Sequence, residues 1–426
     1  MLPVERLIRD TIGAEGPIPF SRFMEIALYS PDGGYYRNAS PVGAAGDYFT
    51  SPTAHPLFGT LLAAQLCQMW EALGRPDSFT VLEPGAGSGV MARDILEAVK
   101  ADFPDFARAM RYVALDYAPA KPADVPDSVQ WVTSDGLPVR GIVGCVLANE
   151  LLDAMPVTRF AVKGGVAREV YVTLDGDGFV EVLGEPTSDA RIVLEYFASL
   201  LPDGYRGEVC TKAHEWAMEA VRRIERGFVL IIDYGGTARW LYAPKRNGGT
   251  LRCHYRHVVT GNPYVRVGQQ DMTAHVDFTN VKEFGEGAYN LPVVRAVGYT
   301  TQRRFLRNLG ADVYIEALAR RSRPQPSYRS GEMPRQEYLA NRMAMQSLLA
   351  PEGLGGFRVL GLGKGGAGRD LWGFTRHNRR LADLRREVDS LRVPMLTPSH
   401  VLLMEGKYPH LAEPQGWQSW SGEEAR

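Results

Sequence analysis

The chain has 426 residues, 45% of them hydrophobic, which is enough for a large core and long for one small domain. Its 48 basic and 49 acidic residues leave a formal net charge of -1, so no global field favours nucleic acid or an anionic membrane as partner. Four scattered cysteines without a C-x-x-C pair argue against a disulfide framework and fit a reducing compartment.

The N-terminal stretch MLPVERLIRDTIGAEG mixes acids with bases and lacks the apolar core of a signal peptide. No segment approaches the roughly twenty apolar residues that cross a bilayer, so the sequence reads as a cytoplasmic protein without membrane insertion. Apolar residues at helical spacing mark helices over 4–12 and 20–28. A Gly- and Tyr-rich run over 32–50 follows, with the length and composition of a lid or binding loop. Residues 1–52 are thus read as N-terminal helices and a lid. Phe58, Leu62, Leu66, Met69 and Leu73 then give one helical face that stops at Gly74.

From 78 onward short apolar runs alternate with helical patterns: strands over 79–82, 112–115, 129–132, 142–148 and 228–232, helices over 90–99 and 216–224. Runs apolar on both faces and separated by helices indicate a mostly parallel sheet covered on both sides. Residues 53–276 therefore read as a doubly wound, Rossmann-like α/β core. Alternating segments near 157–183, broken by Gly164-Gly165 and Asp175-Gly176-Asp177-Gly178, insert β-hairpins into it. A mainly helical stretch over 277–350, a strand returning to the core over 351–363 and an extension over 364–426 complete the reading.

The first strong strand runs into Glu83-Pro84-Gly85-Ala86-Gly87-Ser88-Gly89, followed by a helix. Glycines there let the backbone turn tightly and approach a ligand, and the helix start offers unpaired N–H groups. A dinucleotide loop needs a small residue where Val90 stands, and Glu83 would sit poorly beside a pyrophosphate. The spacing E-x-G-x-G-x-G instead resembles motif I of the seven-stranded S-adenosylmethionine (SAM) methyltransferases. Asp116 ends the next strand, placed to accept from ribose hydroxyls; Asp135 and Leu137 follow the third, placed for the adenine. Asn149, Glu150 and Asp153 follow the fourth.

Beside that loop stand Gly46-Asp47-Tyr48-Phe49-Thr50-Ser51-Pro52, the run from Ala148 to Val157, Ile232-Asp233-Tyr234-Gly235, the run from Asp271 to Phe278, and Thr301-Gln302. In this order they resemble the MidA family, whose mitochondrial members are protein-arginine methyltransferases acting in assembly of respiratory complex I. The resemblance implies a class I methyltransferase core, SAM as methyl donor and symmetric dimethylation of an arginine on a protein substrate, a respiratory-complex subunit. A small-molecule, carboxyl or hydroxyl methyltransferase and a SAM-binding assembly factor are the alternatives. Thr53, where the family has an acid, and Val209-Cys210-Thr211-Lys212 after Glu208 depart from its pattern.

A guanidinium is always protonated and a poor nucleophile, so carboxylates must hold it and take its proton. Glu150 is the first candidate for that clamp and Asp153 the second, with Asn149 toward the cofactor; the resemblance adds His275 as a proton relay and Asp277 nearby. Tyr35, Tyr36, Asp47, Tyr48, Phe49 and Thr50 are the lid candidates, with Asp233 and Tyr234 on the substrate side. Cys253-His254-Tyr255-Arg256-His257 has no matching second pair, so no metal is assigned.

Overall fold

The computed structural model describes residues 1–37, 50–117, 121–256, 258–286, 294–322, 333–366, 368 and 370–400. Seven strands form the central sheet: Phe79–Pro84 (β1), Met110–Asp116 (β2), Val129–Thr133 (β3), Ile142–Asn149 (β4), Ile224–Asp233 (β5), Val294–Thr301 (β6) and Arg358–Lys364 (β7). Their spatial order is β6-β7-β5-β4-β1-β2-β3. The run from β5 to β3 is parallel, and β7 enters antiparallel to both β5 and β6. The chain builds outward from β1 to β3 and then returns to lay β4 on the other side of β1. That reversal opens a crevice at the carboxyl ends of β1 and β4, where α/β sheets bind ligands.

Apolar residues on both faces of the strands explain the double covering. Val81, Cys145, Leu230 and Val359 pack with Phe58, Leu62, Leu66 and Ile95 on one side, from the helices Leu57–Ala72 (α4) and Val90–Asp102 (α5). Leu82, Val146, Ile231 and Leu360 pack with Ala217 and Val281 on the other. At Gly144 a Cβ would lie 2.0 Å from the Thr80 carbonyl oxygen, so only glycine lets β4 approach β1 this closely.

The insertion forms a second sheet, in which Thr158–Lys163, Val166–Asp175, Gly178–Gly184 and Arg206–Val209 are joined by Ile18–Pro19 from the N-terminus. The helices Pro3–Glu15 (α1) and Phe20–Tyr29 (α2) are fixed against it: Ile8, Phe20 and Phe23 share a cluster with Val170, Val172 and Phe179. The insertion is larger than the hairpins read from sequence, since it includes the helix Ser188–Leu200.

Within 277–350, read from sequence as mainly helical, the structure adds the strand β6. That strand is an edge, with only Val294 buried and a register shift between Ala296 and Gly298, so it lacks the continuous apolar run of the buried strands. The helices Phe278–Gly285, Gln302–Asn308, Ala311–Arg321 and Arg335–Ser347 surround it. After β7 the chain returns over α5, where Arg392 pairs with Asp102 and His400 with Asp94.

Candidate functional site

The loop after β1 owes its shape to glycine. Gly85, Gly87 and Gly89 have φ of 71°, 54° and 70°, values that L side chains rarely adopt. A Cβ on Gly89 would strike Val125 Cγ2 at 2.2 Å, whereas one on Gly87 would meet nothing within 4 Å. Gly87 therefore faces open space at the mouth of the crevice, and its N–H donates to Asp116 Oδ2 at 2.7 Å. Glu83 is buried beneath the loop and accepts from the Tyr112 hydroxyl at 2.7 Å; burial pushes its carboxyl up to about 8. Asp135 is exposed on a bend after β3, while Leu137 is buried in the core cluster. The loop is open at Gly87, with the Asp116 carboxylate at one side, an acceptor at the strand end where α/β folds bind ribose hydroxyls.

The turn at 149–153 closes the other side of the crevice. Leu151 anchors it: a Cβ on Gly85 would sit 2.9 Å from Leu151 Cδ1. Glu150 has φ 49°, strained for a residue that is not glycine, and its N–H is bonded to the Ile232 carbonyl at 2.8 Å. Glu150 Oε1 accepts from the Ser51 N–H at 3.0 Å and from Asn149 Nδ2 at 3.2 Å. Burial pushes the Glu150 carboxyl up to about 8 and that of Asp153 up to about 6. The neighbouring Tyr234 hydroxyl opposes that rise at Asp153 by favouring its charged form. Among the described residues, Asp153 Oδ1 and Asn149 Oδ1 are buried without a donor.

Other sequence candidates have different duties. Asp233 Oδ2 accepts from the N–H groups of Leu151, Leu152 and Asp153 at 3.2, 2.9 and 3.3 Å, and Oδ1 from that of Tyr234 at 2.9 Å. It is fully buried and holds the turn's backbone, with no oxygen left over for a substrate. Asp277 caps the helix Phe278–Gly285, accepting from Thr279 and Asn280 N–H groups and from Asn280 Nδ2. Cap duty corrects its reading as a catalytic acid. His275 stacks on Trp240, ring centroids 5.7 Å apart and 5° between planes, with the Tyr234 ring edge-on. Burial, then Arg246, Arg252 and Arg358, press its imidazole down to about 3. So weak a base accepts a proton poorly near neutral pH, which argues against the relay assignment.

Tyr35 is buried against Tyr36, whose hydroxyl donates to Asp271 Oδ1 at 2.7 Å while its ring stacks on Tyr29. Both tyrosines pin the chain to the core, so their reading as mobile lid groups is corrected. Thr50 forms a capping box with Thr53 at the start of the helix Ser51–Ala54 (α3). Asp47, Tyr48 and Phe49 lie outside the described residues. Ser51, Tyr29 and Tyr117 belong at the site although sequence reading did not name them as site residues. Tyr29 packs on Tyr117, next to Asp116, with ring centroids 5.2 Å apart. Ser-Pro and Thr-Gln stood among the quoted motifs, but nothing in the sequence showed that they meet.

Residues 61–297 match the sequence profile of a family described as "Putative S-adenosyl-L-methionine-dependent methyltransferase". The mitochondrial protein arginine methyltransferase NDUFAF7 homolog of Drosophila melanogaster is 30% identical over 75% of this chain and 77% of its own. The mitochondrial protein arginine methyltransferase NDUFAF7 of Mus musculus is 29% identical over 74% and 76%. A likely methyl transferase of the COG1565 superfamily from Burkholderia thailandensis, bound to S-adenosyl-homocysteine, superposes with a TM-score of 0.74 at 32% identity. That match covers 88% of this chain and 95% of the other. The cytoplasmic placement read from the N-terminus is overturned by these relatives, which are named as mitochondrial. Near-neutral charge and unpaired cysteines fit any reducing compartment, so they never separated the two.

Proposed function

This chain belongs to the family of S-adenosyl-L-methionine-dependent methyltransferases, and from that premise we propose that its acceptor is the guanidinium of a protein arginine. The observation that carries this reading is the pair of buried, donorless oxygens on one turn, Asn149 Oδ1 and Asp153 Oδ1. Buried acceptors call for donors, and a guanidinium brings five N–H groups, no acceptor and a fixed positive charge. A carboxylate acceptor brings only lone pairs to these oxygens, and an alcohol a single O–H, so neither satisfies both. The names of the curated relatives point the same way.

SAM supplies an electrophilic methyl: the new N–C bond forms as the C–S bond breaks, and one guanidinium proton must be accepted. Asp153 takes that proton. With its carboxyl near 6 it is ionised at neutral pH and still basic enough to receive one. The Tyr234 hydroxyl nearby favours its charged form, and Asp233 fixes the backbone that carries it. Glu150, at the other end of the turn, ionises when the fixed charge of the guanidinium comes beside it, which offsets the burial that holds its carboxyl near 8, and then localises that charge. Leu151 keeps both acids next to the glycine loop, which supplies the proximity that in-line transfer needs.

The test is incubation of the protein with methyl-labelled SAM and candidate protein substrates, beginning with respiratory-complex subunits, followed by acid hydrolysis. Recovery of labelled methylarginine, lost with Asp153→Asn, is expected, with symmetric dimethylarginine as the expected product. Label released by mild base would identify a methyl ester and sink the arginine reading.

A further inference from the structure

We infer that Ser51 and Gln302 are positioning residues for Glu150, forming a relay that sets the direction and charge of its carboxylate. This rests on the proposed role of Glu150, and it adds two side chains that touch neither donor nor acceptor.

The relay is continuous, and its Ser51–Gln302 part is dry. The Ser51 N–H donates to Glu150 Oε1 at 3.0 Å. The Ser51 hydroxyl donates to Gln302 Oε1 at 3.1 Å, and Gln302 Nε2 donates to the Leu348 carbonyl at 3.3 Å. The Gln302 N–H donates to the Phe357 carbonyl at 2.7 Å, just ahead of β7. Ser51 and Gln302 are both fully buried, so water does not substitute for a missing partner. Gln302 opens the helix after β6, and Ser51 opens α3. The relay thus ties the far edge of the sheet to an acid beside the cofactor loop.

Direction matters because Glu150 is held at a left-handed φ, half-buried in surroundings that disfavour its charge. The charged groups facing it are Asp153 on its own turn and Asp233 at the end of β5, both repelling a second negative charge. The Ser51 N–H and the Asn149 amide are the donors that oppose this. Removing one should raise the proton affinity of Glu150.

Ser51→Pro removes that N–H at the first position of α3, where proline fits without losing a helical bond, and Thr50 before it is already extended, at ψ 165°. Ser51→Ala and Gln302→Met cut the second link and keep the N–H. The titration of Glu150 is read by carbon NMR of the full chain with carboxyl-labelled glutamate, and Glu150→Gln identifies its signal. A rise of about one pH unit is expected for Ser51→Pro, with a smaller rise in the other two variants. Thermal unfolding controls for folding, and Ser51→Ala and Gln302→Met still test the relay should the proline variant not fold. An unchanged midpoint in the folded variants overturns the relay. Because no acceptor enters this measurement, failure of the arginine reading shows separately, as absent methylarginine with the titration shifts intact.

Discussion

The N–H of Gly87 points at Asp116 Oδ2, 2.7 Å away, so the acid at the tip of β2 closes the glycine loop at the tip of β1. This bond places a carboxylate where nucleoside hydroxyls are bound in α/β folds. Asp116→Ala should weaken SAM binding by about 1.5–3 kcal/mol, roughly ten- to a hundredfold. Calorimetry on cofactor-stripped protein measures this, and an unchanged dissociation constant would remove Asp116 from the cofactor site.

Asp233 holds the turn and not the substrate. Asp233→Ala leaves four N–H groups without their acceptor and should cost about 3 kcal/mol or more in unfolding free energy. Denaturant unfolding gives the value. Wild-type stability together with a loss of substrate affinity alone would restore Asp233 to the substrate side.

Glu83 makes stability fall with rising pH. Its folded carboxyl sits near 8, above the roughly 4.3 of an unfolded glutamate, so between these values the folded state holds the extra proton. The penalty is absent below about pH 4.3, grows through the window and levels off above about pH 8. Glu83→Gln should flatten that decline and raise the melting temperature near the upper end, while weakening affinity for the cationic cofactor at pH values above about 8, where the carboxylate is charged. Parallel melting curves with and without SAM would contradict this if the variant lost stability and kept affinity.

His275 should remain neutral throughout the working range, because burial and three arginines hold it near 3. Proton NMR of its ring should show no titration between about pH 5 and 8. A midpoint inside that range would reopen the relay role.

Glu83, the three glycines and the succession of β1 to β5 were legible in the chain because strand, turn and helix are contiguous there, and positive φ at glycine is a local demand. The acids at the strand tips followed from the same local order. The edge strand β6 and the size of the insertion were not, since each depends on which neighbour covers a face.

The amino-acid order by itself determined the fold class, the glycine loop after β1 and the candidate acids. What each acid does was decided by the tertiary structure. Asp277 caps a helix, Asp233 gathers backbone N–H groups, Asp153 keeps an oxygen open, and Glu150 is held by Ser51 across 99 positions, with Gln302 behind it across another 251. A carboxylate's role depends on which donors reach it and how dry its surroundings are. Those are properties of distant segments brought together, which no spacing along the chain records.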